Sequence, residues 1–276
     1  MLSIHTNYTS LLTQNNINKV SGQMDTAMQR ISTGFRINSA SDDAAGLQIA
    51  TRLQSQSNGM ATASRNSQDA ISMLQTAEGA FDEVTNIAHR MKDLATQAAN
   101  GTNGDDEYSA LDAEYQELKD EINSILTNTE YGAGNKLLVG GTLAGDVTFQ
   151  IGATANETLT LEQTDTDLAQ IVTDHGALGG LTDQTASSGE MAKIDDLLAS
   201  VGNTRSVLGA NINRLDHTIA NLGNMRENTE MAKGRIMDTD YAVESSNMMK
   251  NQMLTQMSMS MLSQANGMSG MVMSLI

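Results

Sequence analysis

The sequence predicts a mainly α fold: a long coiled-coil helical rod formed by the N- and C-terminal regions, with a small β-hairpin and turn insert in the middle. Three observations carry this prediction. Proline is absent from the 276 residues, where an average chain of this length holds about 14, so no position is forced to break a helix. Apolar and small residues recur in alternating steps of three and four from Ile49 to Ala98, the spacing of a coiled-coil seam. Glycines gather in one central stretch, where the apolar period drops to two.

Taken in chain order, residues 1–42 carry a loose seam at Ile4, Tyr8 and Leu11, then Val20, Met24, Met28 and Ile31, and are expected to form a terminal helix. Residues 43–130 hold two rod helices. The first runs from about Asp43 to Asn100 on Ile49, Leu53, Met60, Ala63, Ala70, Leu74, Ala77, Phe81, Val84, Ala88, Met91, Ala95 and Ala98, with Gln56 and Ser67 as polar steps. Such a helix spans about 85 Å. Asn100-Gly-Thr-Asn-Gly104 stops it, and a second seam at Leu111, Tyr115, Leu118, Ile122 and Ile125 predicts an antiparallel partner.

Residues 131–190 break the helical period with Gly132, Gly134, Gly140, Gly141, Gly145, Gly152, Gly176, Gly179, Gly180 and Gly189. Val147–Ile151 and Leu159–Leu161 alternate with period two, so the segment reads as short strands and turns. Helical spacing resumes in 191–234 at Ile194, Leu198, Val201, Leu208, Ile212, Leu215, Ile219 and Leu222, with Arg205 the odd member. The last segment, 235–276, holds ten of the 19 methionines. Leu254, Met257, Met261, Gln264, Met268, Met271 and Leu275 form a heptad stripe there. Methionine at such spacing fits either a core or an adaptable docking face. The two terminal helices could pair, but an isolated amphipathic helix is marginal in water, so ordering of the ends is expected to need other copies.

Charge and composition exclude several functions. The net charge is −17, and residues 101–200 carry Lys119, Lys136 and Lys193 against 19 acids, while both ends are close to neutral. A chain this acidic, with no basic stripe and few aromatics, is repelled by phosphate backbones, so nucleic acid is not an expected partner. No apolar run is long enough to span a membrane, and the N-terminal segment lacks the basic start and apolar stretch of a secretory signal. Cysteine is absent, which removes disulfides, thiolate metal sites and cysteine nucleophiles. The four histidines stand far apart with no zinc-hydrolase spacing, and no phosphate-binding glycine loop occurs. Asp105-Asp106 and Asp195-Asp196 read as acids at helix starts, where the helix dipole favours them. We therefore expect no catalytic, cofactor or metal residues. Asn7, Asn100 and Asn156 open three sequons, which a chain rich in Asn, Ser and Thr yields by chance.

Arg30-Ile-Ser-Thr-Gly-Phe-Arg-Ile-Asn-Ser-Ala-Ser-Asp-Asp-Ala-Ala-Gly-Leu-Gln-Ile-Ala50 resembles the signature block of bacterial flagellin, and Gln97-Ala-Ala-Asn-Gly-Thr102 resembles its second block. The likeness continues through Gly134-Asn-Lys-Leu-Leu138, Leu208-Gly-Ala-Asn-Ile-Asn-Arg-Leu215, Arg235-Ile-Met-Asp-Thr-Asp-Tyr-Ala-Val-Glu244 and Gln264-Ala-Asn266. Only residues 140–190 match weakly. The sequence departs from the pattern in two places: its insert is too short for the outer domains of long flagellins, and Ser269-Gly270 stands where many members have Pro-Gln.

The resemblance implies a structural subunit that polymerises with copies of itself into the helical flagellar filament for motility, with the terminal helices packed as an inner tube. On that reading the assembly seam comprises Ile4, Leu11, Val20, Met24, Met28 and Ile31 with Leu254, Met257, Met261, Met268, Met271 and Leu275. It further implies a dedicated export chaperone at the C-terminus, the type III export apparatus, hook-associated and cap proteins, and an extracellular location reached without a cleaved signal peptide. A hook-filament junction protein is the nearest alternative. A surface binding protein displaying the acidic insert, and an enzyme with a peptidase insert, are more distant ones. The family's rod helix is recognised by vertebrate innate receptors, and the matching positions are Arg90, Leu94 and Glu121. Lys92-Asp93 stands where many stimulating members have Arg-Glu.

Overall fold

The computed structural model describes residues 6–132, 134–161 and 164–273, the side chains of 164–166 and 268–273 excepted. Six α-helices account for most of them: α1 (Tyr8–Thr33), α2 (Ala44–Ala98), α3 (Asp105–Asn128), α4 (Thr164–Ala177), α5 (Gln184–Met237) and α6 (Tyr241–Met273). Between α3 and α4 lie two small antiparallel hairpins, β1 (Glu130–Tyr131) with β2 (Asn135–Lys136), and β3 (Val147–Gln150) with β4 (Thr158–Leu161). The chain divides into two compact units, one of residues 1–56 and 227–276, the other of residues 57–226.

The second unit is built on the long seam. Met60, Ala63, Ser67, Ala70, Leu74, Ala77, Phe81, Val84, Ala88, Met91, Ala95 and Ala98 of α2 are all buried, so the three-four spacing there is the core line itself. Helix α3 returns antiparallel to α2. Its start is tied to the end of α2 by Asn103 Nδ2, which donates to the Gln97 carbonyl at 2.7 Å, and just beyond its end the Tyr131 hydroxyl reaches the Asp69 carbonyl. Asp105, Asp106 and Glu107 occupy its first turn, as the dipole argument expects. Helix α5 also runs antiparallel to α2, with ion pairs between Lys92 and Asp195 and from Arg205 to Glu78 and Asp82. Arg205 thus reaches across to two carboxylates instead of packing in the seam.

Three expectations need correction. Asp195-Asp196 lies well inside α5, whose start is set by Asp183: its carboxylate accepts from the Thr185 and Ala186 amides at 2.8 Å, as an N-cap does. The insert is not strands and turns alone, because α4 forms within it. Leu168 and Ile171, three apart, are buried on one face of α4, too few apolar positions to reveal a period. In α2 the seam does not enter through Ile49, which is exposed, but through Ala50 and Ser57.

The hairpin reading holds: Val147 pairs with Leu161 and Phe149 with Leu159, and the two leucines are buried in the same core as the helices. Leu137 and Leu138 of the Gly134–Leu138 motif are buried there as well. Gly141 follows on a path that only glycine can take, since a Cβ would lie 2.2 Å from the Lys136 carbonyl oxygen.

Candidate assembly interface

The first unit is organised by the antiparallel pairing of α1 with α6. Near one end, Asn7 caps α1 by accepting from the Ser10 amide at 3.1 Å and donates from Nδ2 to the Ala265 carbonyl at 2.9 Å. At the other, the Tyr241 hydroxyl donates to the Ile31 carbonyl at 2.6 Å. Helix α1 ends at Gly34, whose φ of 75° is the left-handed conformation that glycine adopts freely, with its amide donating to the Arg30 carbonyl at 2.9 Å. The chain then forms a bridge with the start of the α6 approach. The Arg36 amide donates to the Met237 carbonyl, the Arg36 guanidinium to the Ile236 carbonyl, and the Thr239 amide to the Gly34 carbonyl. Residues of the signature block, 30–50, and of the matching stretch 235–244 therefore hold each other.

The loop after Gly34 is stiffened locally. The Asp42 carboxylate accepts from the Asn38 and Ser39 amides and the Ser39 hydroxyl. These bonds, the Asn38 amide first, hold its carboxyl below the usual carboxylate range. Asp43 then caps α2 by accepting from the Gly46 amide at 2.9 Å.

The seam between α1 and α6 is mostly apolar on the α1 side and mostly small and polar on the α6 side. On α1 the covered positions include Ser10, Thr13, Ile17, Val20, Met24, Ala27 and Ile31, with Ser21, Thr26 and Arg30 half-buried beside them, and only Ala27 is fully buried. On α6 they are Glu244, Met248, Asn251, Thr255, Ser258, Leu262 and Ala265, an unbroken three-four repeat. Arg30 pairs with Glu244 at 3.6 Å, and its Nε is buried with no hydrogen bond. A cleft of about 510 Å³ opens beside that pair, lined among others by Lys19, Arg30, Glu244 and Lys250. Of the seam residues only Ala27, Glu244 and Asn251 are fully buried, and burial of apolar area is what stabilises a helix pair in water.

Much of the apolar surface of α6 faces outward instead. Leu254 and Gln264 are exposed, and Met257 and Met261 are 68% and 63% exposed. Of the predicted seam on α1, Val20, Met24 and Ile31 lie between the helices, while Leu11 and Met28 are exposed. Ile4 and Leu275 lie outside the described residues, as do the side chains of Met268 and Met271. Ile17 and Ala27 were not singled out by the sequence pattern, although both continue the repeat of Val20, Met24 and Ile31. Helix α6 thus presents two heptad stripes in different phases: a polar one against α1 and a methionine-rich one in solvent. An exposed apolar strip of this kind marks an interaction surface.

In the second unit, Arg90 is half exposed and donates from Nε and Nη2 to Glu114 Oε1 at 3.0 and 2.6 Å. Glu121 is exposed, but Leu94 is 2% exposed and belongs to the core. Only two of these three side chains are offered to solvent. Among the described residues there is no group of three or more His, Asp or Glu placed to hold a metal ion, and no helix is long and apolar enough to cross a membrane.

Residues 4–142 match the family profile described as the bacterial flagellin N-terminal helical region, and residues 191–276 that of the bacterial flagellin C-terminal helical region. The chain is 44% identical to a flagellin of Halalkalibacterium halodurans over 87% of each chain. It is 34% identical to flagellin A of Vibrio anguillarum over 100% of this chain and 99% of that one. Among solved structures, a flagellar hook-associated protein of Vibrio parahaemolyticus superposes with a TM-score of 0.57 at 18% identity, covering 71% of this chain and 100% of that one; this likeness concerns the fold.

Proposed function

Because the chain belongs to the bacterial flagellin family, and is thereby a structural subunit of the flagellar filament, we propose that polymerisation is carried by the outward methionine and leucine stripe of α6 together with the exposed Leu11 and Met28 of α1. The single observation behind this reading is the division of labour on α6. The protomer uses the polar stripe for its own helix pair and leaves the apolar stripe uncovered. A subunit that offers different faces to successive neighbours makes heterologous contacts, which extend as an open helix when rotation does not close a ring. Identities of 44% and 34% tie the chain to proteins named flagellin, which favours a filament subunit over a hook-filament junction protein.

Purified full-length chain added to fragments of its own filament is expected to elongate them, seen as growing polymer by negative-stain microscopy. Absence of growth at any subunit concentration would overturn the reading.

Finer partners follow from the same surface. An uncovered apolar stripe invites aggregation before assembly, so a dedicated export chaperone on 235–276 fits the chain, as do passage through the type III export apparatus, an extracellular filament, and contact with hook-associated and cap proteins at its ends. The family division into inner segments 1–42 and 235–276, rod segments 43–130 and 191–234 and a variable insert 131–190 is carried over on the same basis.

Recognition by a vertebrate innate receptor would rest on Arg90 and Glu121, with Leu94 acting from the core as support for the helix that presents them. An Arg90→Ala subunit, tested as monomer in a receptor reporter assay, is expected to lose most of its potency. A variant as active as the parent would show that this guanidinium makes no receptor contact.

A further inference from the structure

Among the described methionines, two groups stand at the extremes of burial. Met60, Met73 and Met91 lie in the cores of the second unit, at most 6% exposed. Met249, Met253, Met257, Met259 and Met261 of α6 are between 53% and 68% exposed, and within α6 the only charged residues are Glu244 and Lys250. The chain has no cysteine and no tryptophan, so no thiol competes for an oxidant and methionine sulfur is its most readily oxidised group.

We propose that these five methionines are an oxidation switch: hydroperoxides convert them to sulfoxides in the free subunit, which blocks its addition to the filament until a methionine sulfoxide reductase, drawing two electrons from a dithiol that becomes a disulfide and releasing the oxygen as water, restores them. In the step, a sulfur lone pair attacks one oxygen of hydrogen peroxide. The S–O bond forms as the O–O bond breaks, sulfur is oxidised by two electrons, and the departing hydroxide takes the proton of the hydroxyl now on sulfur, leaving as water and leaving the sulfoxide behind. The product is polar and chiral where the thioether was apolar and flexible. A surface that joins subunits by burying Met257 and Met261 then has to bury S=O groups without assigned hydrogen-bond partners, which opposes association. The blocking half of the proposal rests on the polymerisation reading above. The order of oxidation rests only on exposure in the protomer. Once a subunit is incorporated, the same burial shields its stripe, so the switch acts on subunits awaiting assembly and spares finished filament.

Free subunits are treated with dilute hydrogen peroxide, mapped by peptide mass spectrometry, and added to filament seeds. The α6 peptides are expected to gain oxygen at least about tenfold faster than those holding Met60, Met73 and Met91, and elongation to fall at least about tenfold. Sulfoxide reductases A and B together, supplied with a dithiol reductant, are expected to restore it. Met28, Met225 and Met231 are also exposed, and Met28 belongs to the proposed interface, so two variants separate the sites. Met28→Leu alone is expected to lose elongation after peroxide as the parent does. A chain with Met28 and the five α6 methionines all replaced by leucine is expected to keep its own untreated rate, although Met225 and Met231 are oxidised. Equal oxidation rates for α6 and core peptides, undiminished elongation by oxidised subunits, or loss that the reductases do not reverse would each overturn the proposal. Untreated subunits that fail to elongate would overturn the polymerisation reading and the block with it, while the order of oxidation is decided by mass alone.

Discussion

A chain lacking residues 237–276 is expected to form no filament at all while its second unit stays folded. The deletion removes the 33 residues of α6 and with them both stripes: the polar one that holds α1 and the methionine-rich one that faces outward. Helix α1, of 26 residues, keeps only Ala27 as a buried position in the intact protomer, and that burial is against α6. Without its partner it is a short amphipathic helix in water, which does not hold its structure. The core of the second unit draws on α2, α3, α5 and the insert and includes no residue of α1 or α6, so its cooperative unfolding transition should persist. Circular dichroism is expected to lose the contribution of the two terminal helices and retain the rest. Seeded elongation is expected to fall to zero. Filaments grown from the truncated chain would show that the seam lies elsewhere.

The same two stripes explain which parts of the fold were legible in the sequence. From Met60 to Ala98 every residue of the predicted seam is buried, with Met73, Ile87 and Leu94 buried beside it, because there the core is filled mostly by apolar side chains and apolar period is burial period. Elsewhere the buried line runs through residues that a hydrophobic count passes over. The core of α5 takes Leu197 and Thr204 where the pattern pointed to Leu198 and Arg205, and α6 turns Asn251, Thr255 and Ser258 toward its partner. Hydroxyls can occupy such positions because they bond their own helix. Thr204 donates to the Ser200 carbonyl at 3.0 Å, Thr255 to the Asn251 carbonyl at 2.8 Å and Ser67 to the Ala63 carbonyl at 2.9 Å, so burial leaves none of these groups unpaired. A search for apolar periodicity on α6 therefore finds the stripe that is left for other subunits, since it is the more hydrophobic of the two. Leu94 lies off the predicted seam, which steps from Met91 to Ala95; its place in a recognition set came from the family alone, and the structure buries it in the core.

The largest loss of stability from a single polar substitution is expected at Glu190, whose side chain is 5% exposed. Its Oε2 accepts from the Tyr115 hydroxyl at 3.1 Å and from the Gly179 amide at 2.9 Å, and its Oε1 from Lys193 at 2.6 Å. One carboxylate thereby fastens α3, α5 and the turn after α4. Glu190→Ala leaves the buried hydroxyl and the amide without acceptors and is expected to lower unfolding free energy by about 3 kcal/mol, read from urea denaturation. Glu190→Gln keeps an oxygen at the Oε2 position and lets Lys193 swing to solvent, so its loss should be about 1 kcal/mol or less. The partner side of the contact adds a pH signature. Burial first, then the adjacent Glu190 charge and hydrogen bond, raise the Tyr115 hydroxyl far above its ordinary 10.0. In the unfolded chain this phenol gives up its proton above pH 10, whereas in the fully buried folded site it keeps it. The folded state then binds one proton more than the unfolded one, so the stability is complete below pH 10 and is lost as pH rises, by about 1.4 kcal/mol per unit. Tyr115→Phe, which has no proton to lose, is expected to start less stable at neutral pH and to show a shallower decline between pH 10 and 12, the lysines titrating alike in both proteins. Equal alkaline slopes for the two would mean that Tyr115 ionises in the folded state and that its hydroxyl is not held by Glu190.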